Sequence, residues 1–313
     1  MTRVAVATAF GGPEVVQIID EALAKPAAGQ VLIEVKAIGV NPIDYKLYSG
    51  AFGKDESTLP IRLGSEASGV VAAIGNTANG PAGPISVGDE VIVTGFKGAY
   101  AEKLLVPADA VVPKPTTLGW EEAAGFLLVA GTSYDALEVT HVSEGDTVLV
   151  HGAAGGVGSI VVQQAKARGA RVIATARAVN HDALRAYGVE PVEYGDGLLD
   201  RVKELAPNGV DVAVDTVGTD EAVDVSLALV ADKSRIVTIA AFGRAAEEGF
   251  LSVGGGNPES AKRRKEARLA LVDAANAGEI TVPVAKTFPL ADVAKAHEEL
   301  QAQHPRGKFI LIP

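Results

Sequence analysis

The hydrophobic positions of the chain follow two different periods. Up to about residue 112, short apolar runs alternate with polar positions and are separated by glycine and proline, as in RVAVATAF, VVQIIDEA, QVLIEVKAIGV, ASGVVAAIG, DEVIVTG and AEKLLVP. Many short strands joined by turn residues are typical of a partly closed barrel or a sandwich. From Leu118 to Val139 the spacing becomes helical, with Trp120, Ala123 and Leu127 on a shared face.

From Asp146 the pattern alternates between apolar strands and helices. The strands TVLVHG, RVIATAR, VDVAVDTVG and RIVTIAAFG are separated by stretches of helical spacing. Continuous Val, Ile and Ala strands between helices indicate a parallel sheet covered on both faces, that is, a doubly wound α/β domain. We predict one further helix from Pro258 to Gly278 and another over Val293–Leu300, before a last strand, KFILIP, that rejoins the first domain.

A glycine-rich loop carries the strongest chemical signal. The strand TVLVHG runs into Gly152, Gly155, Gly156 and Gly158, and a helix follows directly. Glycine suits such a turn because the backbone must approach a pyrophosphate and the helix must pack closely on the strand. The free N–H groups and the dipole of the helix N-terminus then favour phosphate. The spacing is GxxGxxG rather than the strict GxGxxG, so the prediction of a dinucleotide site depends on the βαβ context.

The end of the next strand favours NADPH over NADH. An acidic side chain at this place would bind a ribose 2′-hydroxyl, but the strand ends in Ala176 and Arg177, and the next acid is Asp182. Arg177 is suited to pair with a 2′-phosphate through charge-assisted hydrogen bonds. The alternative is that Arg177 is a solvated surface residue.

Charge and composition argue against several other classes of function and of cofactor. Lys and Arg total 28 and Asp and Glu total 39, which gives a net charge of −11. Such a surface argues against nucleic-acid and membrane partners. The chain has no cysteine, so disulfides, iron–sulfur clusters and thiolate zinc are excluded. We predict no signal peptide and no membrane span, and hence a cytoplasmic protein.

The ordered motifs resemble those of a known family. GVNPIDYKLYSG, LPIRLGSEASGVVAAIG, GDEVIV, GAYAEKLLVP, GTSYDAL, HGAAGGVG and RGKFILIP, in this order, look like the quinone oxidoreductase (ζ-crystallin-like) branch of the medium-chain dehydrogenase/reductase superfamily. The resemblance implies a GroES-like β-barrel catalytic domain over residues 1–122 and 283–313, and a Rossmann domain that binds NADPH over residues 123–282. It also implies a homodimer or homotetramer.

The same resemblance implies that the protein works without zinc. Zinc-dependent alcohol dehydrogenases of the superfamily have cysteine where this chain has Asn41, and histidine where it has Ser65. Interconversion of alcohols and ketones is less plausible without a Lewis acid. Hydride transfer from NADPH to a quinone or an α,β-unsaturated carbonyl needs no metal, because these acceptors are already electron-poor.

The resemblance also assigns site residues. Asn41, Asp44, Tyr45 and Tyr48 would line the substrate site beneath the nicotinamide, although many family members have arginine in place of Tyr48. The residues expected to contact the cofactor are Thr132, Gly152, Gly155, Gly156, Val157, Gly158, Arg177, Tyr194, Val217 and Phe242.

For three other features we prefer a structural interpretation to a functional one. Asp215 more often orders a turn than performs catalysis at a strand end. His151 beside the glycine loop is more often a hydrogen-bonded structural histidine than a cofactor contact. The basic run Lys262–Lys265 is interpreted as the solvated face of a helix rather than a nucleic-acid site.

Two other functions remain open. The chain can be an NADPH-binding protein without relevant turnover, as crystallin-like or RNA-binding relatives suggest, or an enoyl-thioester reductase. Turnover of NADPH with a panel of acceptors distinguishes the first of these from a reductase.

We expect the purified protein to contain no stoichiometric zinc, because Asn41 and Ser65 replace a thiolate and an imidazole and no cysteine is present to rebuild the site. Elemental analysis measures this directly. One zinc ion per chain, together with activity that a chelator removes, would contradict the prediction.

Overall fold

The first and last strands of the chain belong to the same structural unit. The computed structural model describes residues 1–254, 256–302 and 305–313. Unit 1 comprises Met1–Leu128 and Arg268–Pro313, and unit 2 comprises Val129–Ala267. The boundary after Leu128 falls inside a helix, and the boundary after Ala267 falls between two helices. The sequence analysis placed the corresponding domain boundaries after residues 122 and 282.

The elements are numbered in chain order. The strands are β1 (Thr2–Ala7), β2 (Val16–Glu21), β3 (Gln30–Val40), β4 (Ile61–Arg62), β5 (Glu66–Ile74), β6 (Asn79–Gly80), β7 (Gly83–Pro84), β8 (Glu90–Thr94), β9 (Lys103–Pro107), β10 (Val111–Pro113), β11 (Thr147–His151), β12 (Arg171–Thr175), β13 (Glu190–Val192), β14 (Val212–Asp215), β15 (Ile236–Thr238), β16 (Leu251–Ser252), β17 (Val284–Pro289) and β18 (Lys308–Ile312). The α-helices are α1 (Pro42–Ser49), α2 (Trp120–Ala124), α3 (Leu127–Val139), α4 (Gly158–Ala167), α5 (His181–Arg185), α6 (Leu198–Leu205), α7 (Asp220–Leu229), α8 (Phe242–Glu248), α9 (Pro258–Glu266), α10 (Arg268–Asn276) and α11 (Val293–Gln301).

Unit 1 is organised around the long strand β3. Its first half pairs with β9, its last residues pair antiparallel with β18, and β5 runs antiparallel along most of its length. The sheet continues from β5 to β8 and β10, and from β18 to β17. A second sheet has the order β2-β1-β4. The pairing of β18 with β3 confirms the prediction that the last strand rejoins the first domain, and Phe309, Ile310 and Leu311 are buried there.

A buried ion pair lies where β3, β5 and β18 meet. The Lys308 ammonium donates hydrogen bonds to Glu66 Oε1 at 3.2 Å, to the carbonyl oxygen of Val40 at 3.0 Å and to Asn41 Oδ1. The Asn41 side-chain amide donates to the same Glu66 oxygen at 3.0 Å. The Lys308 side chain is 4% exposed and that of Glu66 is 0% exposed, so each charge depends on the other for stabilisation.

Unit 2 is the predicted doubly wound domain. Its strands form a sheet in the order β13-β12-β11-β14-β15-β16, and all of the pairings are parallel. Alternate residues of β11 point into different cores. Val148 packs in a cluster with Val161 of α4, whereas Leu149 packs in a cluster with Val202 of α6 and Val223 of α7. Because successive side chains of a strand point to opposite faces, helices cover both sides of the sheet.

Two predicted helices are broken in the structure. The stretch from Leu118 to Val139 forms α2 and α3, which are separated at Gly125. Glu66 explains the new start, because its Oε2 accepts a hydrogen bond from the Leu128 N–H in the first turn of α3 at 2.9 Å. The helix predicted over Pro258–Gly278 forms α9 and α10, with the break at Ala267. Among the described residues, no helix combines the length and the apolar character required to cross a membrane.

Lys308→Met should lower the free energy of unfolding by about 3–5 kcal/mol, because it leaves the Glu66 carboxylate buried without its cation. Lys286→Met on the adjacent strand β17 is the matched control. Its partner is Glu299, and both side chains are more than a third exposed, so its loss should cost about 0–1 kcal/mol. Urea denaturation of both variants measures the difference. Equal losses would contradict a special role for the buried pair.

Candidate functional site

The glycine loop of unit 2 lies at the carboxyl edge of the parallel sheet. β11 leads into the loop and α4 begins at Gly158 with no side chain capping its N-terminus. The chain passes from β11 to β12 on one side, while β14 lies on the other. This is the switch point of the sheet, where open α/β folds bind their ligands. A helix start without a side-chain cap suits a phosphate, although the N–H groups of Ser159 and Ile160 already donate to carbonyls of the loop.

Two glycines of the loop are required by steric constraints. Gly152 has a φ of +73°, which side chains rarely adopt. A Cβ atom on Gly158 would lie 2.2 Å from the carbonyl oxygen of Gly152, so only glycine allows α4 to pack this closely on the loop. A Cβ on Gly155 would lie 3.3 Å from the same oxygen, which is a less severe contact. The close packing at Gly158 is the role that the sequence analysis assigned to a glycine of this loop.

The cofactor candidates beyond the loop follow neighbouring strands of this sheet. Arg177 follows β12 and is half-buried, and Tyr194 follows β13 with 48% of its surface exposed. Val217 follows β14 and is 48% exposed, and Phe242 begins α8 after β15 and is 43% exposed. Parallel strands end at one edge of the sheet, so the fold brings these four residues to the edge that carries the glycine loop. Thr132 lies on α3 and is buried.

The turn after β14 is ordered by Asp215. Its Oδ1 accepts hydrogen bonds from the backbone N–H groups of Val217 and Gly218, both at 2.9 Å, and its Oδ2 accepts one from the Thr238 hydroxyl at 2.6 Å. The interpretation of Asp215 as a turn-ordering residue is confirmed. The same turn holds Val217 against Gly152, because a Cβ added to this glycine would lie 2.4 Å from Val217 Cγ2.

The interpretation of His151 as a structural histidine with all of its hydrogen bonds satisfied is wrong for Nε2. The ring is 1% exposed, and Nε2 has no hydrogen-bond partner within the described part of the chain. Burial lowers the pKa of His151 to about 4, although the charge of Asp215 acts in the opposite direction. The ring is therefore neutral at pH 7. An unpartnered buried polar atom beside the glycine loop is consistent with a ligand at this edge.

The interpretation of Lys262–Lys265 as a solvated face is wrong for its two arginines. Arg263 Nε donates to Asp135 Oδ1 at 2.6 Å, and Asp135 is fully buried. The hydroxyl of Ser260 donates to the other carboxylate oxygen of Asp135. Burial lowers the pKa of the half-buried Arg264. The run anchors α9 to α3 within unit 2, because a buried carboxylate requires a cation.

In unit 1, the residues predicted to position the substrate lie on α1 and at its N-cap. Asn41 and Tyr48 are each 1% exposed, whereas Tyr45 is half-buried. The Asn41 amide is held on both sides, by Lys308 at its oxygen and by Glu66 at its nitrogen. This side chain is therefore fixed in one orientation before any ligand binds.

A buried hydrogen-bond chain runs from Tyr48 to Asp44. The Tyr48 hydroxyl lies 2.8 Å from His297 Nδ1, and His297 Nε2 lies 3.1 Å from the Tyr100 hydroxyl. Tyr100 donates to Asp44 Oδ2 at 2.8 Å, and Ser65 Oγ lies 3.4 Å from Asp44 Oδ1. Apart from Ser65, which is half-buried, these side chains are at most 1% exposed.

Burial determines the protonation states of the groups in this hydrogen-bond chain. Burial lowers the pKa of His297 to about 4, so the imidazole is neutral at pH 7. Burial also raises the pKa of Asp44 to about 6, against the effect of the hydrogen bonds from Tyr100 and Asn41. The pKa values of both Tyr48 and Tyr100 are raised by burial, which keeps their hydroxyl groups protonated.

The residues at the zinc-ligand positions do not fit zinc. Asn41 and Ser65 offer neither thiolate nor imidazole, and the Asn41 oxygen is already bound to the Lys308 ammonium, a positive charge that would repel a metal ion. Throughout the residues that the structure describes, no three His, Cys, Asp or Glu side chains form a group able to hold a metal.

Sequence reasoning missed the partners that organise unit 1. Glu66 and Lys308 lie within the motifs LPIRLGSEASGVVAAIG and RGKFILIP, but their positions in the sequence offered no reason to assign them a role. The same is true of Tyr100 and His297. The separation explains this, because Lys308 is 267 positions from Asn41 and His297 is 249 positions from Tyr48. The one local signal was a buried-strand pattern interrupted by charge, in GSEASG and GKFILI.

Comparisons with known proteins agree with this geometry. Residues 27–116 match the alcohol dehydrogenase GroES-like domain, and residues 187–311 match the family described as zinc-binding dehydrogenase. The chain is 32% identical to quinone oxidoreductase of Pseudomonas aeruginosa, over 97% of this chain and 98% of the relative. It is also 32% identical to quinone oxidoreductase 1 of Escherichia coli, over 97% of each chain.

Solved structures give the same result. A mycobacterial protein complexed with NADPH has a TM-score of 0.86 and 33% identity, with all of both chains covered. Quinone oxidoreductase of Escherichia coli complexed with NADPH has a TM-score of 0.85 and 30% identity, again over the full length of both chains. The chain therefore belongs to the quinone oxidoreductase branch of the medium-chain dehydrogenase/reductase superfamily.

Proposed function

We propose that the chain is an NADPH-dependent oxidoreductase that transfers hydride to a quinone or an α,β-unsaturated carbonyl without a metal ion. The observation that carries this proposal is the glycine loop at the switch point of unit 2, with Arg177 on the adjoining strand end. The quinone oxidoreductase relatives and the two NADPH complexes named above support both the cofactor and the class of acceptor.

The loop residues Gly152, Gly155, Gly156, Val157 and Gly158 would hold the pyrophosphate. The backbone N–H groups of Gly156, Val157 and Gly158 and the positive end of the α4 dipole favour its negative charge. Gly152 and Gly155 shape the loop instead, because their N–H groups donate to Thr175 Oγ1 and to the Gly152 carbonyl. The close contact of Gly158 with Gly152 leaves no room for a side chain between loop and helix, so the backbone itself is the binding surface. Val217 and Phe242 would offer apolar surface to the nicotinamide end, and Tyr194 to the adenosine end.

Arg177 would select NADPH. It follows β12, where an acidic residue would repel a 2′-phosphate, and the neighbouring Asp182 is turned to solvent with its side chain 98% exposed. A guanidinium at this strand end pairs well with phosphate in both charge and geometry.

The protein would position the acceptor, and no metal ion would activate it. When bound, NADPH supplies the hydride, which is the difficult part of the reaction. Asn41 is locked by Lys308 and Glu66, so the second N–H of its side-chain amide can donate to a carbonyl oxygen without the entropic cost of ordering the side chain. Tyr45, which is half-buried, would provide apolar surface beside it. Positioning of the acceptor is the main contribution of these residues.

Consumption of NADPH with 9,10-phenanthrenequinone and with an alkenone tests the proposal, and we expect turnover of both. Tight binding of NADPH without turnover of a broad acceptor panel would instead support a non-catalytic NADPH-binding protein. Preference for an enoyl thioester over both acceptors would support the thioester reductase.

Arg177→Asp should lower the preference for NADPH over NADH by about 10- to 150-fold, since loss of charge-assisted hydrogen bonds to phosphate costs about 1.5–3 kcal/mol. Arg185→Asp is the matched control, because it changes the net charge equally at an exposed position paired with Asp182. The ratio of kcat/KM for the two cofactors is measured in both variants. Equal use of both cofactors by the wild type would show that Arg177 does not select the cofactor.

A further inference from the structure

Hydride transfer to an enone leaves a proton to be supplied. The hydride forms a C–H bond at one carbon, and the resulting enolate becomes a ketone only when a proton arrives. The proposed function assigns no group to this step, and unit 1 contains a set of buried hydroxyl, imidazole and carboxyl groups in hydrogen-bond contact. The following inference rests on the proposed function.

We propose that Ser65 is the proton donor to the reduced acceptor and that the chain of Asp44, Tyr100, His297 and Tyr48 resupplies its proton. Ser65 would be the catalytic residue, since it is the half-buried hydroxyl at one end of the chain. The other four act through Ser65 as positioning residues.

From Tyr48 to Asp44 the hydrogen bonds all point in one direction. Ser65 donates to Asp44 Oδ1 while Asp44 is a carboxylate, and this last hydrogen bond reverses when Asp44 is neutral. Tyr100 has one proton and donates it to Asp44 Oδ2, so its oxygen accepts the N–H of His297 Nε2. In the neutral imidazole Nδ1 then has no proton and accepts the hydroxyl proton of Tyr48. Each of these protons therefore already lies on the donor atom from which it must move when a proton passes from Tyr48 toward Asp44.

The transfer balances as a shift of one proton. A proton reaching the Tyr48 oxygen releases the Tyr48 hydroxyl proton to His297 Nδ1, and Nε2 releases its proton to Tyr100. Asp44 acts in its neutral form with the proton on Oδ1: it gives that proton to Ser65 as Ser65 Oγ–H protonates the enolate, and Tyr100 gives its own proton to Asp44 Oδ2. One O–H bond breaks and one forms at each hydroxyl, and no electrons are exchanged. The step leaves His297 with its proton on Nδ1, so the next turnover requires return of the imidazole to its Nε2–H tautomer as well as rotation of the hydroxyls.

The two ends of the chain suit entry and delivery. Beyond Tyr48, the exposed carboxylates of Glu14 and Glu298 are close enough to contribute, after burial, to raising the pKa of this phenol. Negative charge there favours the arrival of a proton from solvent. At the other end, Ser65 Oγ is 3.4 Å from Asp44 Oδ1, a long contact of the kind that shortens when a ligand is bound.

If His297 had only a structural role, a substitution that keeps its hydrogen bonds would leave turnover unchanged. If His297 passes a proton, the same substitution lowers turnover. Glutamine at position 297 has an oxygen that accepts from Tyr48 and an N–H that donates to Tyr100, but an amide does not pass a proton from one atom to the other. His297→Gln therefore separates satisfaction of the buried polar groups from transfer of a proton. His141→Gln, at an exposed turn, is the control.

The experiment measures kcat with an alkenone and with 9,10-phenanthrenequinone, the solvent deuterium isotope effect on each, and the melting temperature. Ser65→Ala should lower kcat for the alkenone by about 10²- to 10⁴-fold, the range of general acid catalysis, and Ser65→Thr should restore most of it. The quinone should lose less than about tenfold, because its reduced anion is stable enough to take a proton from water.

His297→Gln should lower alkenone turnover by about 10²-fold at an unchanged melting temperature and change the solvent isotope effect, whereas His141→Gln should do neither. Full alkenone turnover in Ser65→Ala, or in a folded His297→Gln, overturns the proposal. If His297→Gln does not fold, Tyr48→Phe decides, since it removes one hydroxyl; unchanged alkenone turnover again overturns the relay. A wild type inactive toward both acceptors would overturn the proposed function itself, which is a distinct result.

Discussion

The ion pair of Lys308 with Glu66 is the interaction on which unit 1 depends. It joins the last strand of the chain to β5, and through Val40 and Asn41 to the end of β3. The second oxygen of Glu66 accepts from the first turn of α3, so one carboxylate also determines where a helix begins. Removing either charge would leave the other buried without a partner, which is why a single side chain links sheet, helix and candidate site.

The same pair supports the proposal that the candidate site works without a metal ion. In a site of this kind an asparagine would be a weak ligand by itself, but here its oxygen is bound to an ammonium group. The positive charge that a metal would bring is thus already supplied by Lys308, and the compensating negative charge by Glu66. The remaining donors of the region, Asp44, Tyr100 and His297, are used in hydrogen bonds to one another.

The glycine loop of unit 2 depends on contact distance rather than charge. Gly158 lies so close to the Gly152 carbonyl that a methyl group would overlap it, and Asp215 orders the adjoining turn that places Val217 against Gly152. Backbone therefore forms the surface of the loop, and the candidate residues around it come from the ends of neighbouring parallel strands. This arrangement offers a phosphate site made of N–H groups, with selectivity left to the side chain of Arg177.

Hydrophobic period and glycine spacing were enough to predict the parallel sheet, the barrel-like strands and the position of the nucleotide loop, because each is written in neighbouring residues. The return of KFILIP to the first domain was predicted because this strand lies far from the nucleotide motifs. The break at Gly125, the anchoring of α9 through Arg263 and the His151 nitrogen that has no hydrogen-bond partner among the described residues were not predictable. Each depends on a group that is distant in sequence or buried by tertiary packing. Local sequence specifies elements and turns, whereas only the folded chain determines which charges are buried together, and so which protons can move.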